Sequence, residues 1–165
     1  MNPNHQQRAI QAALSNIRSL RVMGIFCLTE VGDCDRMWRE YAGEGGFVIG
    51  FDTTHDSFNA LRVPGLFGRV SYSDAAFETF LGMMETDFRA PLFRKRMRYS
   101  FEKEWRSIRQ FKELEHHPDV ICLSPFDPAC VREIMVRPDC AVQDEIREIV
   151  AGDARYAHVK ISIQA

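Results

Sequence analysis

The sequence has no long apolar run and no marked excess of charge of either sign. None of its apolar stretches approaches the roughly 18 residues that a membrane-spanning helix requires. Its first 20 residues are polar and helical in pattern, without an apolar signal core. The 21 lysines and arginines nearly balance the 23 aspartates and glutamates, so there is no broad electrostatic footprint for nucleic acid or an anionic membrane. We therefore expect a cytoplasmic protein with no membrane partner.

Paired metal-ligand spacings are also absent. The five cysteines are an odd number and form no Cys-x-x-Cys pair, which favours free thiols in a reducing compartment. His116 and His117 are adjacent, and neighbouring imidazoles rarely face one metal ion. The sequence therefore predicts no metal site.

Two common catalytic signatures are missing as well. Gly43, Gly45 and Gly46 form a glycine-rich turn, but no lysine follows and the turn leads into a strand rather than a helix, unlike a phosphate-binding loop. No Gly-x-Ser-x-Gly elbow occurs, and no cysteine has a convincing histidine partner. The glycines are better interpreted as a helix stop and a chain reversal.

The apolar pattern predicts the α+β class. We expect a single domain over 1–165, with an N-terminal helix at 1–21 and a core at 22–165. The core should hold a mixed, mainly antiparallel sheet of about six strands, with three to four helices in the whole chain. The strand at 46–52 is expected at the centre of the sheet because of its apolar content. The predicted strands are 22–28, 46–52, 67–72, 104–111, 120–123, 133–136 and 158–163. The predicted helices are 5–21, a segment capped by Asp33 and ended by Gly43, and segments capped by Asp74 and Asp139.

The segment 101–106 carries polar residues that packing alone does not require. In a strand, Glu104 and Arg106 share one face, with Cα atoms about 7 Å apart. They could form a solvent-facing ion pair, which contributes about 0 to 1 kcal/mol. They could instead line a cleft, with Glu102, Glu104 and Arg106 as the catalytic centre.

A second candidate group lies earlier in the chain. Met37 and Tyr41 share a helical face, with Trp38 beside them. These side chains could be core anchors, or Trp38 and Tyr41 could form an aromatic wall on which a planar ligand stacks. Thr29 stands where a strand meets a loop, a place at which binding sites are often built.

A short basic cluster surrounds Lys95. Arg94, Lys95, Arg96 and Arg98 could be a solvated face or could contact an anion such as phosphate. Lys95 is the candidate ligand-binding residue of this cluster.

Several short motifs follow one another along the sequence. In order, they are Trp38-x-x-Tyr41-Ala42, Gly46-Phe-Val-Ile-Gly50-Phe51-Asp52, Val70-Ser-Tyr72, Lys95, Tyr99-x-x-Glu102-Lys103-Glu104-Trp105-Arg106 and Glu133-Ile134. This ordered set resembles a widespread prokaryotic family of unknown function, whose members look like relatives of abortive phage-infection proteins. The match runs from about Phe26 to the C-terminus. It departs from the family at Arg137-Pro138, where a glycine is usual, and it lacks the family's usual N-terminal portion. A shortened member would have lost one wall of its site or would complete it with a second copy of the chain.

This resemblance implies two functions. The layout is loosely similar to ADP-ribosyltransferases, so Glu104 or Glu102 would polarise a ribose hydroxyl, Trp38 and Tyr41 would wall a nicotinamide pocket, and NAD would be the cofactor. The chain would then be a phage-defence or toxin-type enzyme acting on a nucleotide or nucleic acid. The alternative is a non-catalytic sensor or protein-interaction module on the same scaffold. Whether the chain is an enzyme stays open at this point, and a nucleotide, a protein or a second copy is its expected partner.

Overall fold

A computed structural model describes residues 23–43, 45–56, 66–75, 90–111, 114–117, 120–123 and 126–164. These residues fall into two compact units. The first contains the described residues of 1–28 and 62–125, and the second contains those of 29–61 and 126–165. The N-terminal helix predicted at 1–21 and the helix predicted after Asp74 lie outside the described residues.

Strands dominate the first unit. They are β1 (Met23–Thr29), β3 (Phe67–Arg69), β4 (Ser71–Tyr72), β5 (Arg94–Lys95), β6 (Glu104–Gln110), β7 (Glu115–His117) and β8 (Val120–Leu123). The three-stranded sheet of this unit has the order β1-β6-β3, and two strand pairs, β4-β5 and β7-β8, accompany it. The antiparallel pairing of β3 with β6 sets Gly68 opposite Arg106, and the parallel pairing of β4 with β5 sets Tyr72 opposite Lys95.

Single 3₁₀ turns connect several of these strands. They occur at Ala90–Phe93 and Met97–Glu102. The second turn ends at Lys103, which adopts the left-handed backbone conformation with φ of 42°. Lys103 therefore reverses the local chain direction immediately before β6 begins.

The second unit has a three-stranded sheet of its own. β9 (Val131–Val136) lies between β2 (Phe47–Phe51), which is antiparallel to it, and β10 (Lys160–Ile163), which is parallel. Its helical segments are α1 (Asp35–Met37), a π-helical turn (Trp38–Ala42), α2 (Gln143–Gly152) and the 3₁₀ turns Pro128–Cys130 and Ala154–Tyr156.

The core of the second unit forms where α2 meets its sheet. Val136, Cys140 and Ile146 are buried together. Partly buried apolar side chains pack around them, namely Ile134, Val142, Val150 and Ile161. The period-two pattern of the strands and the helical spacing of α2 both supply this core, as expected for an α+β unit.

The α+β class with antiparallel and mixed sheets is confirmed, but the number of strands and their division among sheets differ from the prediction. The described residues contain eight strands of three or more residues and two of only two residues, distributed over four sheets rather than one sheet of about six. β2 was predicted to be central, but among the described residues it lies at an edge, next to β9 alone. The strand Glu115–His117, which pairs with β8, was not among the predicted strands. Strand pairing depends on distant partners, so apolar content alone does not fix it.

Two helix ends illustrate what local sequence does determine. Gly43 ends the π-helical turn with φ of 60°, and its N–H donates to the Trp38 carbonyl at 3.0 Å, as predicted. Asp139 was predicted to cap α2, but the residue before this helix is Val142 and no side chain caps it. Among the described residues, no helix is both long and apolar enough to cross a membrane.

Candidate functional site

Four charged side chains converge in the first unit, and we call them the charge cluster: Lys95, Glu102, Glu104 and Arg106. All four were predicted as site residues, and the structure brings them together. Local backbone geometry explains this convergence. Glu102 ends a 3₁₀ turn and Glu104 begins β6, so the left-handed Lys103 between them lets both carboxylates reach one lysine.

Two hydrogen bonds of the charge cluster join Arg106 to Glu104. Arg106 Nε donates to Oε1 at 2.7 Å, and Nη2 donates to Oε2 at 3.1 Å. This bidentate geometry matches the planar guanidinium to the planar carboxylate. Arg106 Nη1 also donates to the Leu92 carbonyl. This bond anchors the guanidinium to the 3₁₀ turn Ala90–Phe93.

Lys95 joins the two carboxylates. Its ammonium donates to Glu102 Oε2 and lies 3.2 Å from Glu104 Oε2. The Lys95 side chain is 25% exposed, whereas those of Glu102 and Glu104 are almost fully buried. Lys95 is thus the most accessible member of the charge cluster, and it neutralises two buried acids.

Electrostatics hold Glu104 in its ionised form. Burial by itself would raise the pKa of Glu104, but hydrogen bonds from Arg106 and Cys27 and the nearby charges of Arg106 and Lys95 lower it to about 2. Burial likewise opposes the charge on Arg106 and Lys95, yet the hydrogen bonds from Arg106 to Glu104 and from Lys95 to Glu102 raise the pKa of each cation. The cluster is therefore charged, paired and mostly removed from water, not the solvent-facing ion pair that spacing alone allows.

Tyr72 and Cys27 also touch Glu104, and sequence reasoning assigned neither of them to the site. The Tyr72 hydroxyl accepts a hydrogen bond from the Glu104 backbone N–H at 2.8 Å. Burial raises the pKa of Tyr72, and the charges on Glu102 and Glu104 raise it further, against the effect of that hydrogen bond. Tyr72 lies in a motif of the family resemblance, which was the available signal.

Cys27 lies on β1, in the same sheet as Glu104 on β6. The residue as a whole is exposed. Partial burial of the sulfur, and then the hydrogen bond to Glu104, raise the pKa of Cys27 to about 11. Cys27 therefore acts as a thiol donor to the carboxylate at neutral pH, a role that spacing along the chain does not reveal.

The basic residues around Lys95 divide into two kinds. The Lys95 ammonium and the Arg98 guanidinium each lie 4.7 Å from the centroid of the Tyr99 ring, within cation–π range. Arg98 also donates to the Tyr99 hydroxyl at 2.7 Å. Arg96 and Arg98 are exposed, whereas Lys95 and Arg94 are partly buried. The solvated-face interpretation thus describes Arg96 and Arg98 but not Lys95.

The other predicted residues, Thr29, Trp38 and Tyr41, lie in the second unit. They line a cavity of about 130 Å³, which we call the aromatic cavity. Its other side chains are apolar and include Met37, Phe47 and Val48. The structure therefore assigns the predicted residues to two separate groups, one in each unit.

Trp38 forms the inner part of the aromatic cavity. It is 1% exposed, and its Nε1–H donates to the Gly32 carbonyl at 2.8 Å. The Arg137 guanidinium lies 5.5 Å from the centroid of its ring. Trp38 is consequently a core anchor in its own unit, while one part of the indole borders the cavity. Tyr41, by contrast, is 59% exposed.

Thr29 shapes the edge of the same cavity. Its hydroxyl accepts from the Val31 N–H at 3.0 Å and lies 3.6 Å from Met37 Sδ. This local bond forms a tight turn at the end of β1. Among the described residues, no group of three or more histidine, cysteine, aspartate or glutamate side chains could hold a metal ion.

Comparison with known proteins adds no assignment to these sites. No family model, no curated protein and no solved structure matches this chain. The family resemblance drawn from its motifs therefore stays a prediction, and the function rests on the geometry of the site.

Proposed function

We propose that this chain is a non-catalytic binding module, a sensor or protein-interaction domain, in which the charge cluster maintains the first unit. The observation that supports this proposal is the bidentate contact of Arg106 with Glu104. Both carboxylate oxygens accept from the guanidinium, and one of them also lies near the Lys95 ammonium. The carboxylate that would carry catalysis is already committed to partners within its own unit.

Proton-transfer chemistry fits this arrangement poorly. A general base works best when its pKa lies near the working pH and when it can reach the proton it removes. Glu104 has a pKa of about 2 and accepts hydrogen bonds from Arg106 and Cys27. It would be a weak base at neutral pH, which favours a structural role.

Burial gives the charge cluster a structural consequence. Removing one partner of a buried ion pair leaves an uncompensated charge and typically costs about 3–5 kcal/mol. Arg106 also links β6 to the Leu92 carbonyl, and Lys95 links β5 to Glu102 at the end of the 3₁₀ turn. The cluster thus connects four consecutive segments of the first unit, which are the two 3₁₀ turns and the strands β5 and β6.

The test compares Glu104→Gln with Glu40→Gln. Glu40 accepts from Arg36 at 2.7 Å in an exposed i,i+4 pair, so its variant makes the same chemical change without burial. If the charge cluster is structural, Glu104→Gln should clearly lower the unfolding midpoint. Glu40→Gln should leave the midpoint almost unchanged. A cellular phenotype of the protein should then weaken only as far as the loss of folded protein explains. Loss of the phenotype with an unchanged midpoint would overturn the proposal.

A second candidate function is a phage-defence or toxin-type enzyme acting on a nucleotide, with NAD as its cofactor. The observation that favours it is the partly exposed Lys95 beside two buried carboxylates. Buried charges are costly and often mark functional sites. In this enzyme Glu104 would act as a permanently ionised group that stabilises developing positive charge, rather than as a base.

Thermal unfolding with added NAD distinguishes the two candidates. A ligand that binds only the folded state must raise the midpoint, by about 2.7 kcal/mol of stabilisation at a hundredfold excess over its dissociation constant. The enzyme predicts a shift with NAD or another nucleotide that disappears in Glu104→Gln, measured against that variant's own ligand-free midpoint. Absence of any shift in the unchanged protein contradicts the enzyme.

The proposal also includes a cytoplasmic location and a protein partner, which would be a second copy or another chain. Four described cysteines, Cys27, Cys34, Cys130 and Cys140, are free, which supports a reducing compartment. Cell fractionation tests the location, and sedimentation analysis of the purified protein tests self-association. Recovery from the secreted fraction would contradict the cytoplasmic location. A monomer at all concentrations would contradict a second copy as the partner.

A further inference from the structure

The aromatic cavity has chemistry of its own, separate from the charge cluster. All of its lining residues come from 29–48, which run from the end of β1 through the helical segment to the start of β2. One continuous stretch of chain therefore builds the whole site within the second unit.

Two polar side-chain groups of the lining already bind within the protein. Trp38 Nε1–H donates to the Gly32 carbonyl at 2.8 Å, and the Thr29 hydroxyl accepts from the Val31 N–H at 3.0 Å. The apolar surface that lines the cavity comes from the indole ring and from the side chains of Met37, Phe47 and Val48. No charged side chain is among the described lining residues. Such a lining favours a neutral guest and disfavours a phosphate or carboxylate, which would lose its hydration without gaining a partner.

The volume limits the size of that guest. Pockets for drug-sized ligands usually enclose about 300–1,000 Å³, whereas an apolar cavity of about 150 Å³ can bind benzene. At about 130 Å³, the aromatic cavity accommodates one ring or one branched aliphatic group but not a nucleotide. If NAD binds this protein, the cavity could enclose only one ring of the cofactor and not a whole nucleotide.

Two aromatic side chains of the lining are exposed to solvent. Tyr41 is 59% exposed and Phe47 is 45% exposed, although large apolar surfaces are favourably removed from water. A ring placed against them would reduce this exposure and add aromatic contacts. Met37 can adjust its shape to such a guest because its unbranched thioether chain is flexible.

We propose that the aromatic cavity binds a small neutral molecule through a single aromatic ring or a branched aliphatic group. This inference rests on the proposed binding function and gives it a ligand class. It places recognition in the second unit, at residues that the charge cluster does not include.

The experiment titrates purified protein with indole and with benzene, followed by saturation-transfer NMR. Benzoate and phenyl phosphate are matched probes that add a negative charge to the same ring. The proposal expects saturable binding of both neutral probes and at least tenfold weaker binding of both anions. Equal or tighter binding of the anions, or no binding of either neutral probe, overturns it.

Three variants locate the binding. Tyr41→Ala should weaken the neutral probes by about three- to tenfold, as expected for loss of one aromatic contact, and its exposed position leaves the fold intact. Val48→Phe should abolish binding by filling the cavity. Ile149→Ala removes an apolar side chain that is 58% exposed on α2 and should change nothing. If Val48→Phe fails to fold, the affinities of Tyr41→Ala and Ile149→Ala for the neutral probes are compared instead. Equal affinities in these two variants overturn the proposal.

The ligand class and the proposed function fail in different ways. Glu104→Gln alters the first unit, so neutral probes should bind it as they bind the unchanged protein at temperatures where both are folded. The proposed function fails, and the ligand site stands, if the neutral probes bind but Glu104→Gln loses the cellular phenotype with an unchanged unfolding midpoint. Absence of probe binding with a destabilised Glu104→Gln would overturn the ligand site but leave the proposed function.

Discussion

Arg106 donates to both carboxylate oxygens of Glu104, at 2.7 Å and 3.1 Å, from a position two residues further along the same strand. Side chains two apart in a strand share a face, and here that face is nearly closed to water. The low exposure distinguishes this pair from an ordinary surface ion pair, because screening by solvent is weak. Its strength can therefore be measured through the stability of the fold.

The first prediction concerns the coupling between Glu104 and Arg106. Glu104→Gln and Arg106→Gln should each lower the unfolding free energy by about 3–5 kcal/mol, because each leaves a charge unpaired in a buried site. The double variant should lose less than the sum, with a coupling energy of about 1–3 kcal/mol. Urea unfolding of the four proteins completes the cycle.

The exposed Arg36–Glu40 pair supplies the control for this cycle. Its coupling should be only about 0.3–0.5 kcal/mol, as for other i,i+4 helical pairs. Losses at Glu104 and Arg106 that simply add would show that each side chain contributes independently, against the geometry described here.

The second prediction concerns acid unfolding. The pKa of Glu104 is lowered from 4.5 to about 2 in the folded protein, so its pairing stabilises the fold above the unfolded pKa. This contribution is lost as the pH falls from about 4.5 towards 2. The difference corresponds to about 3 kcal/mol for a group this buried.

Urea unfolding at pH 7, 4.5 and 3 measures this loss. Hydrogen bonds from the Thr54 hydroxyl and then from Arg132 lower the pKa of Asp52, and hydrogen bonds from Arg155 lower the pKa of Asp153. Part of the acid sensitivity therefore belongs to these two aspartates. Glu104→Gln isolates the Glu104 share, since it should flatten the stability profile between pH 4.5 and 3 relative to the unchanged protein. Parallel profiles for the two proteins would refute the assignment.

Local periodicity predicted part of the site but not all of it. The alternation of β6 placed Glu104 beside Arg106, and the structure has them in contact. The sequence also grouped Glu102 with this pair, but spacing could not place Lys95 beside the two carboxylates, because it lies on another strand and the left-handed Lys103 turns the chain between Glu102 and Glu104. Tyr72 and Cys27 approach Glu104 through tertiary structure, from positions 32 and 77 residues earlier in the chain.

The same distinction applies to the fold. Gly43 ends its helical turn because glycine adopts a positive φ without steric cost, and that is a property of one residue. The division of the strands into four sheets depends on pairings between distant segments, such as β3 with β6 and β2 with β9. Apolar content indicates that a strand is buried but does not identify its partner.

The third prediction concerns the left-handed backbone at Lys103. A non-glycine residue in this conformation is strained by about 1–2 kcal/mol, and Lys103 is exposed, so its side chain is not held in a buried contact. Lys103→Gly should relieve the strain. The greater freedom of glycine in the unfolded chain offsets part of this gain, which leaves a net stabilisation of up to about 1 kcal/mol.

Lys103→Val provides the matched opposite change. A β-branched residue tolerates positive φ poorly, so this variant should be less stable than the unchanged protein. Chemical denaturation of both variants measures the order Gly, Lys, Val in decreasing stability. An inverted order would show that the lysine side chain, rather than the backbone, determines the energetics at this turn.

The fourth prediction concerns the reactivity of Cys27. Burial of its sulfur and the hydrogen bond to Glu104 raise its pKa from 9.0 to about 11. Only the thiolate reacts with iodoacetamide, so at pH 7.5 Cys27 should alkylate about a hundredfold more slowly than a thiol of ordinary pKa, although the residue is exposed. Peptide mass spectrometry follows Cys27 separately from the other cysteines.

Two glutamate variants test whether Glu104 causes this low reactivity. Glu104→Gln removes the negative acceptor, so it should lower the pKa of Cys27 and accelerate its alkylation, whereas Glu40→Gln should leave the rate unchanged. A Cys27 rate that is the same in both variants would mean that the thiol does not contact Glu104 in solution.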